Sequence, residues 1–241
     1  MSLRESGDDL LSQAHFILLV AVCQRLFGAG VVKGTRWAIM LMETCVMDDR
    51  LDRSVAKVEE YLTNTDETTA NPVLIMLSGL PGTGKSCLAQ SLVEILPFVI
   101  IESDQVRKLL FSKPRYTPEE SYWVHRTCHA LMAKLLRKGV RVIYDATNLH
   151  ERHRELVYRL ADKEGAKLLV VKAVAPEEVA SERLRGRHEE SEDDRDVSDA
   201  DWRVYERMAR RAEPIGRNHV VVDTSQDLKP SVTKLLRLIR G

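Results

Sequence analysis

The chain has 241 residues, with 36 basic and 36 acidic side chains, so its formal net charge is zero. A neutral chain has no global attraction to nucleic acid or to an anionic membrane, although a local basic groove stays open. At 44% hydrophobic and 30% charged residues, the composition is that of an ordinary globular protein. The length is enough for one large domain, or for one domain with an appendage. The four cysteines form no Cys-x-x-Cys pair, which favours a reduced protein in the cytoplasm.

The first 39 residues differ from the rest. They contain an unbroken apolar run at 16–23, too short for a bilayer, which needs about 20 apolar residues. Acidic side chains also crowd the region that is basic in a secretory signal. We therefore expect no stable membrane insertion. Three interpretations compete for this hydrophobic extension: a loosely attached helix, an interfacial anchor, or upstream sequence that the cell does not translate. We favour the third, with Met40, Met42 or Met47 as the start.

Three segments follow from this division of the chain. Residues 1–39 form the extension, 40–71 a helix and a linker, and 72–241 the main domain. Within the middle segment, apolar residues at helical spacing predict an amphipathic helix at 48–62, and the polar run 63–71 predicts a linker.

Short aliphatic strands alternate with helices from Pro72 onward. The strands show little polar alternation, as expected when both faces of a sheet are covered. This alternation predicts an α/β fold with a parallel sheet, whose ligands bind beyond the carboxyl ends of the strands. Strands are predicted at 73–78, 98–102, 140–144, 167–173 and 219–223, and helices at 84–96, 104–111, 118–138, 149–164, 176–187, 199–212 and 228–239.

The first strand runs into a loop that fits the pattern G-x-x-x-x-G-K-[ST] without a mismatch. This pattern is the P-loop, in which main-chain N–H groups and the positive end of a helix dipole hold phosphates. Lys85 is suited to the β- and γ-phosphates of ATP, and Ser86 to Mg²⁺. The predicted nucleotide-binding residues of the loop are Gly79, Leu80, Pro81, Gly82, Thr83, Gly84, Lys85, Ser86 and Cys87.

Charged residues follow the second and third strands. Asp104 and Arg107 lie one helical turn apart, where a carboxylate can accept a proton from a hydroxyl and a guanidinium can hold substrate or γ-phosphate. The alternative is that Ser103 or Asp104 only caps the helix. Asp145 after strand three is suited to Mg²⁺, through water, or to orienting Arg107. Asn148 is more simply read as a capping box with the glutamate three residues on.

A helix that ends near Arg183 to Arg187 precedes an acidic polar run, and another helix begins near 198. This layout predicts a lid that closes over a nucleotide, with Arg183 and Arg187 reaching its phosphates. The alternative is a solvated charged loop, with the arginines at the C-terminus of the helix because the helix dipole favours cations there.

Three weaker features have plain explanations. Asp223–Ser225 can edge the adenine or simply turn and cap the last helix. His125 and His129 have helical spacing, but the sequence signals no further ligands for zinc. The aromatic residues of 116–123 either cap the substrate or pack on a helix surface.

In this order and spacing, the motifs GLPGTGKS, SDQVR, DATN and RLRGR resemble one group of P-loop kinases over residues 72–241. The group includes the kinase domains of polynucleotide 5′-hydroxyl kinases, zeta toxins and chloramphenicol phosphotransferases. The resemblance implies the three-layer P-loop NTPase fold, with a five-stranded parallel sheet in the order 2-3-1-4-5, helices on both faces and a helical lid.

The resemblance also implies roles for individual residues. Asp104 would be the general base, and Arg107 would hold the substrate or a phosphate. Asp145 would support that pair or the metal, while Arg187 would stabilise the γ-phosphoryl group from the lid. The acidic lid departs from the group and disfavours a nucleic-acid acceptor, because binding to a phosphate backbone relies on Lys and Arg.

We therefore expect an enzyme that uses ATP and Mg²⁺ to phosphorylate a hydroxyl of an acceptor that the sequence does not identify. Two alternatives stay open: a regulatory or remodelling NTPase, and a toxin-like kinase that acts on a nucleotide sugar. Strand three ends in Asp145-Ala146, without the second acidic residue of remodelling ATPases, which argues against the first alternative. The sequence gives no oligomeric state.

Overall fold

The computed structural model describes residues 49–189 and 197–240, without the side chains of 187–189 and 197–201. The predicted extension, residues 1–39, lies outside the described residues, which begin at 49. The chain divides into two compact units, 1–52 and 53–241. Among the described helices, none is both long and apolar enough to cross a membrane.

Five parallel strands form one sheet in the order β2-β3-β1-β4-β5, which confirms the predicted topology. Each strand is a run of aliphatic residues, and β1 is buried along its whole length because helices cover both faces. The observed strands lie within two residues of the predicted bounds. They are β1 Val73–Ser78, β2 Val99–Glu102, β3 Val142–Asp145, β4 Lys167–Val174 and β5 Val220–Asp223.

Helices connect the strands by crossovers on both faces of the sheet. The first predicted amphipathic helix, α1, covers residues 49–59, and Val55 and Val58 are buried. Thr117 caps α4 by accepting a hydrogen bond from the N–H of Glu120, as its Thr-Pro-Glu-Glu start predicts. The other helices are α2 Lys85–Val93, α3 Ser103–Leu110, α4 Pro118–Arg137, α5 Glu151–Lys163, α6 Glu177–Glu189, α7 Val197–Arg211 and α8 Lys229–Arg240.

Alternating strand residues separate two apolar layers. Ile75 and Ile143 pack with α2 and α8 in one buried cluster. Tyr144 points to the opposite face, where its hydroxyl meets His125 of α4. The strand register sets Glu102 beside Asp145 at the carboxyl edge, which is where the chemistry-bearing residues collect.

Candidate functional site

The loop between β1 and α2 closes around glycines. Gly82 and Gly84 have φ of +77° and +71°, in the left-handed region that suits glycine. A Cβ on Gly82 would lie 2.6 Å from the carbonyl oxygen of Ala180, and one on Gly84 would lie 2.7 Å from Oγ1 of Thr224. The loop therefore holds its main chain in a conformation that no larger residue at these two positions could keep.

Side chains of the loop also fold back onto it. Nζ of Lys85 donates to the carbonyl oxygen of Leu80 at 2.9 Å, and Oγ1 of Thr83 donates to the same oxygen at 2.7 Å. The side chain of Leu80 packs against the apolar contact between α6 and α7. The ammonium group thus lies against the phosphate loop, while Leu80 anchors the loop to those two helices.

Ser86 and Asp145 meet at the start of α2. Oγ of Ser86 donates to Oδ2 of Asp145 at 2.7 Å, and Asp145 is buried at the end of β3. Their hydroxyl and carboxylate oxygens are hard donors that suit Mg²⁺, which usually takes one or two protein oxygens and completes its shell with water and phosphate. No group of three or more metal-binding side chains occurs in the described parts of the chain, so such a site would rest on this pair.

Asp104 stands in the first turn of α3, directly after β2. The N-cap is Glu102, and its side chain makes no capping bond to a described residue. The alternative in which Ser103 or Asp104 caps the helix is therefore wrong, because both lie inside the helix. Asp104 is exposed, at the same sheet edge as the phosphate loop.

Arg107 lies one turn farther along α3 and is buried, with 8% of its side chain exposed. Its Nη2 donates to Oγ of Ser121 at 3.2 Å, and Nη1 lies 3.6 Å from Oε2 of Glu120. Nε and Nη1 have no hydrogen-bond partner among the described residues. A buried guanidinium with two unsatisfied nitrogens is suited to bind an anion or a polar substrate group.

Asn148 does not act as predicted. The helix α5 begins at Glu151, its N-cap is His150, and the capping carboxylate comes from Glu213, whose Oε2 accepts from the N–H of Glu151 at 2.6 Å. Asn148 instead has φ of +45° and donates from Nδ2 to the carbonyl oxygen of Leu77 at 2.7 Å. It thereby joins β1 to the loop that follows β3, so the capping-box prediction is wrong.

Arg154 also stabilises the loop that follows β3. It is fully buried, and its guanidinium donates to the carbonyl oxygens of Asn148, Glu213 and Pro214 and to the carboxylate of Glu151. No local pattern indicates the contact with Glu213 and Pro214, because these two partners lie 59 and 60 residues after Arg154 in the chain.

Arg183 and Thr224 hold the phosphate loop through hydrogen bonds. Arg183 donates to Oγ1 and to the carbonyl oxygen of Thr224, at 2.9 and 2.8 Å, and Oγ1 of Thr224 donates to the carbonyl oxygen of Thr83 at 2.9 Å. Asp223 accepts from the N–H and Oγ of Ser225 and forms a turn. The side chain of Arg187 and the acidic run after it fall outside the described residues, so their roles stay predictions.

A group of histidines fills the space between α4 and α5. Nδ1 of His125 lies 2.8 Å from the hydroxyl of Tyr144, and its ring centroid lies 5.5 Å from that of His153 and 6.3 Å from that of His129. Burial, and then the neighbouring histidines, lower the pKa of His125 to about 4. Burial also lowers the pKa of His129 to about 4. Both rings are therefore neutral at neutral pH.

Comparison with known proteins identifies the family. A family model described as AAA domain matches residues 74–215, which is more than half of the chain. The chain belongs to this AAA-domain family. No curated protein matches the sequence.

Solved structures agree with the fold of this AAA-domain protein. The crystal structure of APE1195 is 22% identical, with a TM-score of 0.59, and the match covers 72% of this chain and 97% of that one. The APS kinase CysC of Mycobacterium tuberculosis, in complex with AMPPNP and APS, is 16% identical, with a TM-score of 0.55, and the match covers 72% and 100%. At these identities the likeness shows the fold alone.

Proposed function

We propose that this protein transfers the γ-phosphoryl group of ATP to a hydroxyl of an acceptor. The hydrogen bond between Ser86 and Asp145 carries the proposal, because it joins the end of the phosphate loop to the end of β3. Asp104 and Arg107 stand at the end of the neighbouring strand, where an acceptor would meet the phosphate. The APS kinase with the same fold was crystallised with AMPPNP and APS, which adds support for a kinase.

Each residue has a defined task in this proposal. The main chain of the loop and Lys85 bind the phosphates of ATP, with Arg183 holding the loop in shape. Ser86 and Asp145 would hold Mg²⁺, which when bound would neutralise phosphate charge. The carboxylate of Asp104 takes the proton from the acceptor hydroxyl while the hydroxyl oxygen attacks the γ-phosphorus of ATP, and ADP leaves.

Transfer of label from γ-labelled ATP to a panel of alcohols, sugars and 5′-hydroxyl oligonucleotides tests the proposal. Asp104→Asn should lower the transfer rate by about 10²- to 10⁴-fold and leave the affinity for ATP unchanged, because the carboxylate acts on the acceptor. Lys85→Ala should instead weaken ATP binding, as measured by calorimetry. Unchanged transfer by the Asp104 variant would remove that residue as the base.

A second candidate is an NTPase that hydrolyses ATP without an acceptor. In this candidate, the buried nitrogens of Arg107 act in the hydrolysis of ATP by water. The rate of ATP turnover should then be the same with and without alcohols. Phosphate release that is independent of every acceptor in the panel would favour it over phosphoryl transfer.

A further inference from the structure

One residue of the loop between α3 and α4 has an unusual backbone. Tyr116 has φ of +54°, a left-handed conformation that is unfavourable for a residue with a large side chain. Such conformations persist only where the surroundings impose them, and they collect at binding and catalytic sites.

Glu120 imposes this conformation. Its carboxylate accepts hydrogen bonds from the N–H of Tyr116 at 2.8 Å and from the N–H of Arg115 at 2.9 and 3.1 Å. The N–H of Glu120 in turn donates to Oγ1 of Thr117, so that two reciprocal sets of bonds close the turn. A capping-box glutamate would bond to the N–H of Thr117 itself, whereas Glu120 reaches the two residues before it.

The result is a tyrosine ring fixed above Arg107. The guanidinium carbon of Arg107 lies 4.7 Å from the centroid of the ring, within the range of a cation–π contact. Yet 62% of Tyr116 is exposed, so this conformation does not serve burial in the core. Arg107 lies three residues after Asp104 on α3, one helical turn farther along, so the ring packs on a helical neighbour of the residue that we propose as the base.

We propose that Tyr116 is a stacking surface for the acceptor, and that Glu120 is the positioning residue that holds it there. The inference rests on the proposed phosphoryl transfer. An acceptor that suits this surface carries a planar ring, such as a nucleobase, attached to the part that bears the hydroxyl. The ring stacks on the exposed part of Tyr116, and the hydroxyl then lies toward Asp104. Stacking on an aromatic side chain does not depend on which base is present, because every base has a flat face.

Two matched acceptors isolate the ring. Uridine and methyl β-D-ribofuranoside share the ribose and its 5′-hydroxyl, and only uridine has a base. We expect the KM of the wild-type protein to be lower for uridine by about 5- to 150-fold, the range of single stacking contacts. Tyr116→Gly accepts the left-handed backbone and removes the ring, so it should abolish this preference without changing the KM for ATP. Tyr116→Phe should keep the preference.

Glu120→Ala should reduce the preference for uridine while the KM for ATP stays constant, whereas a merely structural glutamate would lower kcat/KM equally for both acceptors.

Tyr61→Ala is the matched control and should keep the preference. Tyr61 is about as exposed as Tyr116, but the residues after it contact the amino ends of β2 and β3, at the edge of the sheet opposite to the site. A preference for uridine that survives Tyr116→Gly would overturn the inference while the proposed function stands. So would equal KM values for the two acceptors in the wild-type protein. If no alcohol in the panel is phosphorylated, both fail.

Discussion

The hydrogen bond between Ser86 and Asp145 joins two residues 59 positions apart in the sequence. If the two side chains share Mg²⁺, Asp145→Asn should raise the Mg²⁺ concentration needed for half-maximal activity by about tenfold or more, because a neutral amide is a weaker ligand than a carboxylate. A titration of activity with Mg²⁺ at saturating ATP measures the shift.

Asp66→Asn serves as the control for this prediction, since Asp66 is exposed in the segment that precedes β1. An Mg²⁺ requirement that is the same in Asp145→Asn as in this control would exclude a metal-binding role for Asp145.

Single residues were predictable where a local pattern defines them. The loop residues, Asp104 and Asp145 follow directly from glycine spacing and from the ends of strands. Thr224 and Arg183 gave no comparable signal for their contact with the loop, because that contact joins a threonine after β5 to Thr83 across 141 positions. Long-range hydrogen bonds between ordinary polar residues leave no periodicity in a sequence.

At the scale of elements, the start of α5 depends on a carboxylate that comes from elsewhere in the chain. Glu213 accepts from the N–H of Glu151 and lies 3.2 Å from Nδ1 of His150, and these hydrogen bonds lower the pKa of Glu213. We expect Glu213→Ala to lower the Tm by roughly 2–4 °C, the effect of losing one helix cap.

The control for the cap is Glu155→Ala, which removes an exposed ion pair with Arg159 on the same helix. Such pairs contribute little, so thermal unfolding should change by less than it does for Glu213→Ala. Equal shifts for the two variants would show that Glu213 does not cap α5.

Whole strands and helices were predicted well, and their ends less well. The predicted bounds of β1 equal the observed ones, because its aliphatic run is bounded by Pro72 and Gly79. The start of α5 was misplaced by two residues because Asn148 and Glu151 mimic a capping box, while the true cap is distant in sequence.

At the scale of the whole molecule, the neutral histidines of α4 make stability depend on pH. The pKa of His125 and of His129 falls from 6.5 to about 4 on folding, so between these values the unfolded chain binds more protons than the folded one. We expect the free energy of unfolding to decrease as the pH falls from about 6.5 to 4, by at most about 1.4 kcal/mol per pH unit for each histidine.

Urea unfolding between pH 4 and 8 measures this dependence. His129→Gln should flatten the slope between pH 4 and 6.5, and the exposed His219→Gln is the control. Glu59 acts in a different range: the hydrogen bond from Lys134 lowers its pKa below 4.5, so its contribution is lost only as the pH falls below that value. A slope that is unchanged in His129→Gln would exclude that ring as a source.

Binding of ATP should also stabilise the whole domain. At 100 times the dissociation constant, a ligand of the folded state adds about 2.7 kcal/mol to the free energy of unfolding. Thermal unfolding with and without ATP and Mg²⁺ should show a rise in Tm for the wild-type protein, and a smaller one for Lys85→Ala at the same concentrations. A rise of equal size in both would argue against the phosphate loop as the binding site.

The contact of Thr224 with the phosphate loop has a consequence for biosynthesis. The hydroxyl that fills the space beside Gly84 comes from the end of β5, which leaves the ribosome long after the loop itself. Nascent chains that stop before this threonine would have the glycines and the lysine but not the brace. Nucleotide would therefore assist maturation only after β5 has left the ribosome, and ribosome-bound chains truncated at residue 215 should bind ATP more weakly than chains that expose residue 230.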